Sequence, residues 1–233
     1  MTLSALALIF GLGTAAEAQD QCAQAGGERL VALTFDDGPD ARATPALLDV
    51  LNAHDAKATF FVSGNRIAEN AAILGRMVEE EHEIGNHTLT HARLAAQSVD
   101  EIRAEIEGAS AAIVEATGQA PTAFRPPYGD FDDRVAAVAR DNNLTIALWN
   151  INPGDSSPTN SAEEIGRQIV SSAQGGDIVF LHDTSLRSVK AAEIAIRDLT
   201  ARGFRFVTLS DLIARRGDPI PGAVYHTACS GGA

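Results

Sequence analysis

Short apolar runs rich in strand-forming residues alternate along this chain with longer stretches whose apolar residues recur at helical spacing. Leu30 to Phe35 is the first such run, and it stops at Asp36-Asp37-Gly38-Pro39. A helix is predicted next, with Pro45 in its first turn and Leu47, Leu48 and Leu51 on one face. Further strands are predicted at Ala58 to Val62, near Glu83 to Asn86, near Ala123 to Arg125, and at Thr145 to Asn150, Asp177 to Leu181 and Phe204 to Leu209. Helical patterns separate them at Ala68 to Glu80, after Ser98, at Asp132 to Asn142, from Ser161 to Ala173 and at Val189 to Arg202, with a short helix from Asp211. Ser98-Val99-Asp100-Glu101 and Ser161-Ala162-Glu163-Glu164 read as capping boxes, in which hydroxyl and carboxylate each satisfy a backbone N–H left free at a helix start.

Regular strand–helix alternation with short connections predicts an α/β fold with a parallel sheet covered by helices. An open sheet gathers its site at one switch point, whereas a barrel gathers residues from many strand ends around one rim. Asp36, His87, Arg125, Asp155 and His182 stand at or just beyond different strand ends. The expectation is therefore a distorted, incomplete (β/α) barrel, TIM-like, of about seven units. No linker, low-complexity tract or repeat interrupts residues 19–233, so a single domain is expected.

Residues 1–18 read differently. Leu3 to Gly13 is apolar, and small residues at Ala16 and Ala18 form a cleavage site, the pattern of a secretory signal peptide. The alternative is a buried N-terminal helix. The run falls short of the roughly 20 apolar residues of a spanning helix. A secreted or periplasmic protein, free of the membrane after cleavage, is expected. Cys22 and Cys229 flank that mature chain and can tie its ends together in an oxidising compartment, or remain free thiols. The net charge of -13 argues against nucleic acid, which needs a cationic surface, and mildly favours a neutral partner over an anionic one.

Five segments carry candidate chemistry. In Asp36-Asp37 two carboxylates repel each other, a conflict that a cation on one resolves while the other stays free as a base. A turn must bring both into one site, because extended backbone would point them to opposite faces. His87 and His91 share a face if their loop begins a helix, and with Asp37 they make a two-histidine, one-carboxylate metal set. Arg125 can hold a carboxylate ionised, and the stiff Pro126-Pro127 can aim the next backbone N–H at an oxyanion. Trp149 could wall a sugar pocket or fill the core, and Asp155 could orient a histidine or hold a turn. His182, emerging from a buried strand, is a candidate general acid or a structural histidine.

Asp36-Asp37-Gly38-Pro39, His87-x-x-x-His91 and Arg125-Pro126-Pro127-Tyr128-Gly129, in this order, resemble the polysaccharide deacetylases, the NodB-homology domain of carbohydrate esterase family four. The resemblance runs from Leu30 to Leu212 and implies the same distorted barrel. It implies a divalent metal, usually zinc with cobalt accepted, on Asp37, His87 and His91. It further implies Asp36 as general base oriented by Arg125, and His182 as general acid supported by Asp155. Tyr128 would be the backbone oxyanion donor, with Tyr128, Trp149 and Phe180 beside the substrate. The implied activity is N-deacetylation of an acetylated, N-acetylglucosamine-containing glycan; a monomer is expected. O-deacetylation of xylan and a catalytically dead glycan-binding protein are the alternatives. Two departures stand out: Asp155-Ser156 and Asn152 where the family has Asp-Trp and an acid, and Phe180 where it has the leucine lining the acetyl pocket.

Overall fold

The computed structural model describes residues 28–215 and 217–228; the expected signal peptide and both cysteines lie outside the described residues. In chain order the elements are β1 (Arg29–Asp36), α1 (Ala43–Ala53), β2 (Ala58–Val62), α2 (Ala71–Glu79), β3 (Glu83–Asn86), α3 (Val99–Thr117), β4 (Ala123–Phe124) and α4 (Asp133–Asp141). They continue with β5 (Thr145–Ala147), α5 (Ala162–Ser172), β6 (Ile178–His182), α6 (Leu186–Ala201), β7 (Phe204–Phe206), α7 (Leu209–Ala214) and β8 (Val224–Tyr225). Both capping boxes form as read from the sequence, at Ser98 and Ser161.

The sheet runs β6-β1-β2-β3-β4-β5-β8, and β7 pairs with the start of β1. These pairings are parallel. The sheet curls until single bridges, Ile151 to Val179 and Asp177 to Thr227, join its far edge to β6. This is the expected distorted, incomplete barrel.

Strand parity decides what faces inward. Side chains of a strand alternate between its faces. On β1, Val31, Leu33 and Phe35 pack against the helices, while Leu30 and Ala32 join the cluster inside the curl. Thr34 and Asp36 share the parity of Leu30 and Ala32, so Asp36 ends the inner row. On β6, Val179 and Leu181 face the helices and Ile178 faces inward, which carries Phe180 and His182 inward too. Ala123 and Ala147 set the same inward parity for Arg125 and Trp149.

Several boundaries differ from the sequence expectation. β5 stops at Ala147 rather than Asn150, because the Arg125 side chain takes the carbonyls of Ala147 and Leu148 and the chain then crosses to β6. The predicted helix Ala68 to Glu80 begins as a 3-10 turn and breaks at Asn70. The strand expected to reach Leu209 ends at Phe206, since the Thr208 hydroxyl accepts the Asp211 N–H at 3.2 Å and starts α7. Strand β8 has too short an apolar run to be read from sequence.

Candidate active site and metal centre

The register of β1 on β6 sets Asp36 opposite His182. Asp36 is buried, and its Oδ1 accepts from Arg125 NH1 at 2.7 Å. Arg125 leaves the end of β4 and has no exposed surface. Its NH1 also donates to Thr34 Oγ1 at 2.7 Å, its Nε to the Ala147 carbonyl and its NH2 to the Leu148 carbonyl, both at 2.9 Å. The Phe61 ring lies 4.2 Å from the guanidinium carbon. A buried cation is tolerable only when paired and hydrogen-bonded, and this one is paired with Asp36 and places four of its five N–H groups on acceptors.

The chain turns sharply after Asp36. Asp37 has φ 72, a left-handed value unusual for a residue with a side chain, and this turn is what brings two consecutive carboxylates to one site. Asp37 Oδ1 lies 3.3 Å from His87 Nε2 and 3.1 Å from His91 Nε2. The helix that would align the two histidines does not form. His87 to His91 is a loop with left-handed Thr88 and His91, and α3 holds it in place. Glu105 accepts from the Thr90 N–H at 2.8 Å and from its hydroxyl at 2.6 Å, while the Leu89 N–H donates to the Glu105 carbonyl. Asn86 donates to the Ile106 carbonyl and accepts the Thr88 N–H, fixing the loop's entry.

The three side chains suit a metal ion on structural grounds. Their donor atoms all lie within 4.8 Å of one another. His87 Nδ1 is 2.7 Å from the Arg125 carbonyl, which can only accept, so Nδ1 carries the proton of the neutral ring and Nε2 turns a lone pair toward Asp37. Asp37 Oδ1 is itself buried with no hydrogen-bond partner. Lone pairs that converge need a cation between them. Ligands about 2.0–2.1 Å from a tetrahedral zinc stand roughly 3.3 Å apart. Burial alone would raise the Asp37 pKa, but the two imidazoles outweigh it and hold the carboxyl well below the usual range.

His182 and Asp36 both border this triad. His182 Nε2 is 3.9 Å from Asp37 Oδ2, and Asp36 Oδ2 is 3.7 Å from His87 Nε2. His182 Nδ1 meets Asp155 Oδ1 at 2.9 Å. Burial works to lower the His182 pKa, but Asp155, Asp36 and Asp37 outweigh it and raise it above the ordinary value. Tyr128, with φ 64, lays its ring edge-on to His91 at 4.9 Å and keeps 59% of its surface exposed. Trp149 stacks on Phe180 at 4.0 Å, and Phe180 meets the His182 ring edge-on at 4.7 Å. Ser156 and Asn152, the two departures noted in the fourth segment, are both exposed.

The structure thus brings together Asp36, Asp37, His87, His91, Arg125, Tyr128, Trp149, Asp155, Phe180 and His182. The sequence reading missed Thr34, Asn86, Glu105, Ser188 and Asp183, and only Asp183, adjacent to His182, had a local signal. Asp183 is buried against Gly38 with Thr44 Oγ1 donating to its Oδ2 at 2.6 Å, and burial pushes its carboxyl up to about 7. A cavity of about 390 Å³ lies elsewhere, at the start of β3, lined by His82, Glu83, Thr122 and Ser210, away from this chemistry.

Comparison with known proteins agrees on one group. The family model for polysaccharide deacetylases matches residues 23–147. A peptidoglycan-N-acetylglucosamine deacetylase, PgdA of Listeria monocytogenes, is 34% identical over 186 residues; the match covers 80% of this chain but only 39% of that protein. A chitooligosaccharide deacetylase of a Bradyrhizobium species is 36% identical, covering 84% of this chain and 90% of that one. A family 4 acetyl xylan esterase from Clostridium thermocellum, solved in complex with a cobalt ion, superposes with a TM-score of 0.80 at 36% identity, covering 85% of this chain and 98% of that one.

Proposed function

The chain belongs to the polysaccharide deacetylase family, and from that premise we propose that it is a metal-dependent hydrolase that removes acetyl groups from N-acetylglucosamine-containing glycans. The observation that carries this reading is the meeting of a paired carboxylate, a three-ligand metal set and a carboxylate-backed histidine at one rim. Asp37, His87 and His91 would hold the metal, zinc being the best match to two imidazoles and a carboxylate and cobalt an acceptable substitute. When bound, a divalent metal supplies Lewis-acid polarisation of the acetamide carbonyl and lowers the pKa of water.

The chain's own groups do the rest. Arg125 occupies Asp36 Oδ1 and leaves Oδ2 to take the proton of the attacking water. The Tyr128 backbone N–H donates to the developing oxyanion. Asp155 keeps the His182 Nδ1 proton occupied, so that Nε2 delivers its proton to the departing nitrogen. Water and the N-acetyl sugar become acetate and the free amine. Chitin oligomers, peptidoglycan and acetylxylan should be assayed side by side with the zinc-loaded chain. Acetate release from the first two, abolished by a chelator and restored by zinc, is expected. Release that survives complete metal removal, or no release at all, would overturn the reading, the latter leaving a glycan-binding protein.

A second reading, O-deacetylation of xylan, is favoured by the likeness to the Clostridium thermocellum esterase and uses the same groups. Faster release from acetylxylan than from chitin oligomers would select it. Phe180 lies between Trp149 and His182, and the family resemblance implies that its position lines the acyl pocket, so the wild type should prefer acetyl over butyryl substrates. Phe180→Leu is expected to shrink that preference by about tenfold, the scale of a methylene or two in an apolar pocket. An unchanged acetyl-to-butyryl ratio would remove Phe180 from the pocket.

A further inference from the structure

Asp155 is held more firmly than a single bond to His182 requires. Its Oδ1 meets His182 Nδ1 at 2.9 Å, and its Oδ2 accepts the His182 backbone N–H at 2.9 Å. Oδ2 also accepts the Ser188 hydroxyl at 2.7 Å, and the Asp155 carbonyl accepts from Arg187 NH2 at 2.7 Å. Ser188 is 2% exposed and lies in the first turn of α6, on a different element from Asp155.

The polarity of this contact is fixed by chemistry. A carboxylate only accepts, so Ser188 must donate to it. Ser188 N–H in turn donates to the Ser185 hydroxyl at 3.1 Å, and that hydroxyl lies 3.0 Å from Ser188 Oγ. With its own proton committed to Asp155, Ser188 Oγ is left as acceptor, and Ser185 must donate to it. Ser185 caps α6 through the backbone N–H of Ser188 alone, so the cap does not need the Ser188 hydroxyl.

We propose that Ser188 is a positioning residue for His182. Its hydroxyl shares Asp155 Oδ2 with the His182 backbone N–H, and the two bonds together stop the carboxylate from rotating, which keeps Oδ1 on Nδ1 and aims Nε2 at the leaving group. The inference rests on the reading of His182 as proton donor given above, and the leaving group provides a test that a merely structural role would not pass. An amine cannot depart from an amide without a proton, whereas p-nitrophenolate departs from p-nitrophenyl acetate unprotonated.

Ser188→Ala is expected to lower kcat on N-acetyl chitin oligomers about tenfold, the loss of one net hydrogen bond. Its kcat on p-nitrophenyl acetate should stay within about twofold of wild type, with KM unchanged on both. Ser188→Thr, which restores the hydroxyl, should recover the amide activity. Bound zinc and circular dichroism report that each variant is folded and loaded. Equal losses on both substrates, or no loss on the amide, would overturn the proposal. Failure of the wild-type enzyme to release acetate from the oligomers would instead overturn the functional reading beneath it.

Discussion

Asp36→Asn is expected to lower kcat for deacetylation about a thousandfold, within the range for loss of a positioned general base. The substitution is nearly isosteric. The remaining amide oxygen can still accept from Arg125 NH1, now 2.7 Å from Oδ1, so the site's outline should persist. What disappears is the basic Oδ2, whose place an amide NH2 takes beside His87 Nε2. Asp37, His87 and His91 are untouched, so each folded chain should still bind one zinc. The measurement is kcat per zinc-loaded chain on a defined chitin oligomer, with zinc counted in the same sample. A rate within threefold of wild type would exclude Asp36 as the base. Loss of zinc together with loss of rate would move Asp36 into the ligand set.

Arg125→Met should cost stability as well as rate, by about 3–5 kcal/mol, the range for breaking a buried ion pair by removing one partner. Arg125 is wholly buried, and its removal takes a donor from the Asp36 carboxylate and from the carbonyls of Ala147 and Leu148, while the Thr34 hydroxyl keeps its bond to the Val179 carbonyl. Burial lowers the guanidinium's own pKa and Asp36 opposes this, so each charge is tolerable because of the other. The double variant Asp36→Leu/Arg125→Met should therefore be more stable than Arg125→Met alone, since no uncompensated charge remains. Equilibrium unfolding in urea reads both values. A loss under about 1 kcal/mol for the single variant, or a double variant less stable than the single one, would show that the pair is not what holds this end of the barrel.

Much of the site could be read from the chain because its motifs are local. Asp36-Asp37, His87-x-x-x-His91 and Arg125-Pro126-Pro127 each lie within a few residues, and the ends of the strands before them could be placed to within a residue from the apolar runs. The helix expected to align the two histidines failed for a physical reason: bonds from Glu105 and Asn86 satisfy the loop's backbone without a helix. Thr34 and Ser188 escaped notice because a lone buried hydroxyl leaves no pattern, and its partner stands on another strand or loop. Strand parity was within reach. Leu30, Ala32, Thr34 and Asp36 share one face, and that alternation already points Asp36 inward.

By itself the amino-acid sequence determined the alternation of strands and helices, the parallel pairing that alternation implies and the set of reactive side chains at the strand ends. These follow from short-range patterning and steric rules that act within a few residues. Only the tertiary structure decided which carboxylate meets which cation and which hydroxyl steadies which acid. Such pairings depend on register between strands and on the curl of the sheet. Both are set by packing summed over the whole chain, to which no single segment holds the key.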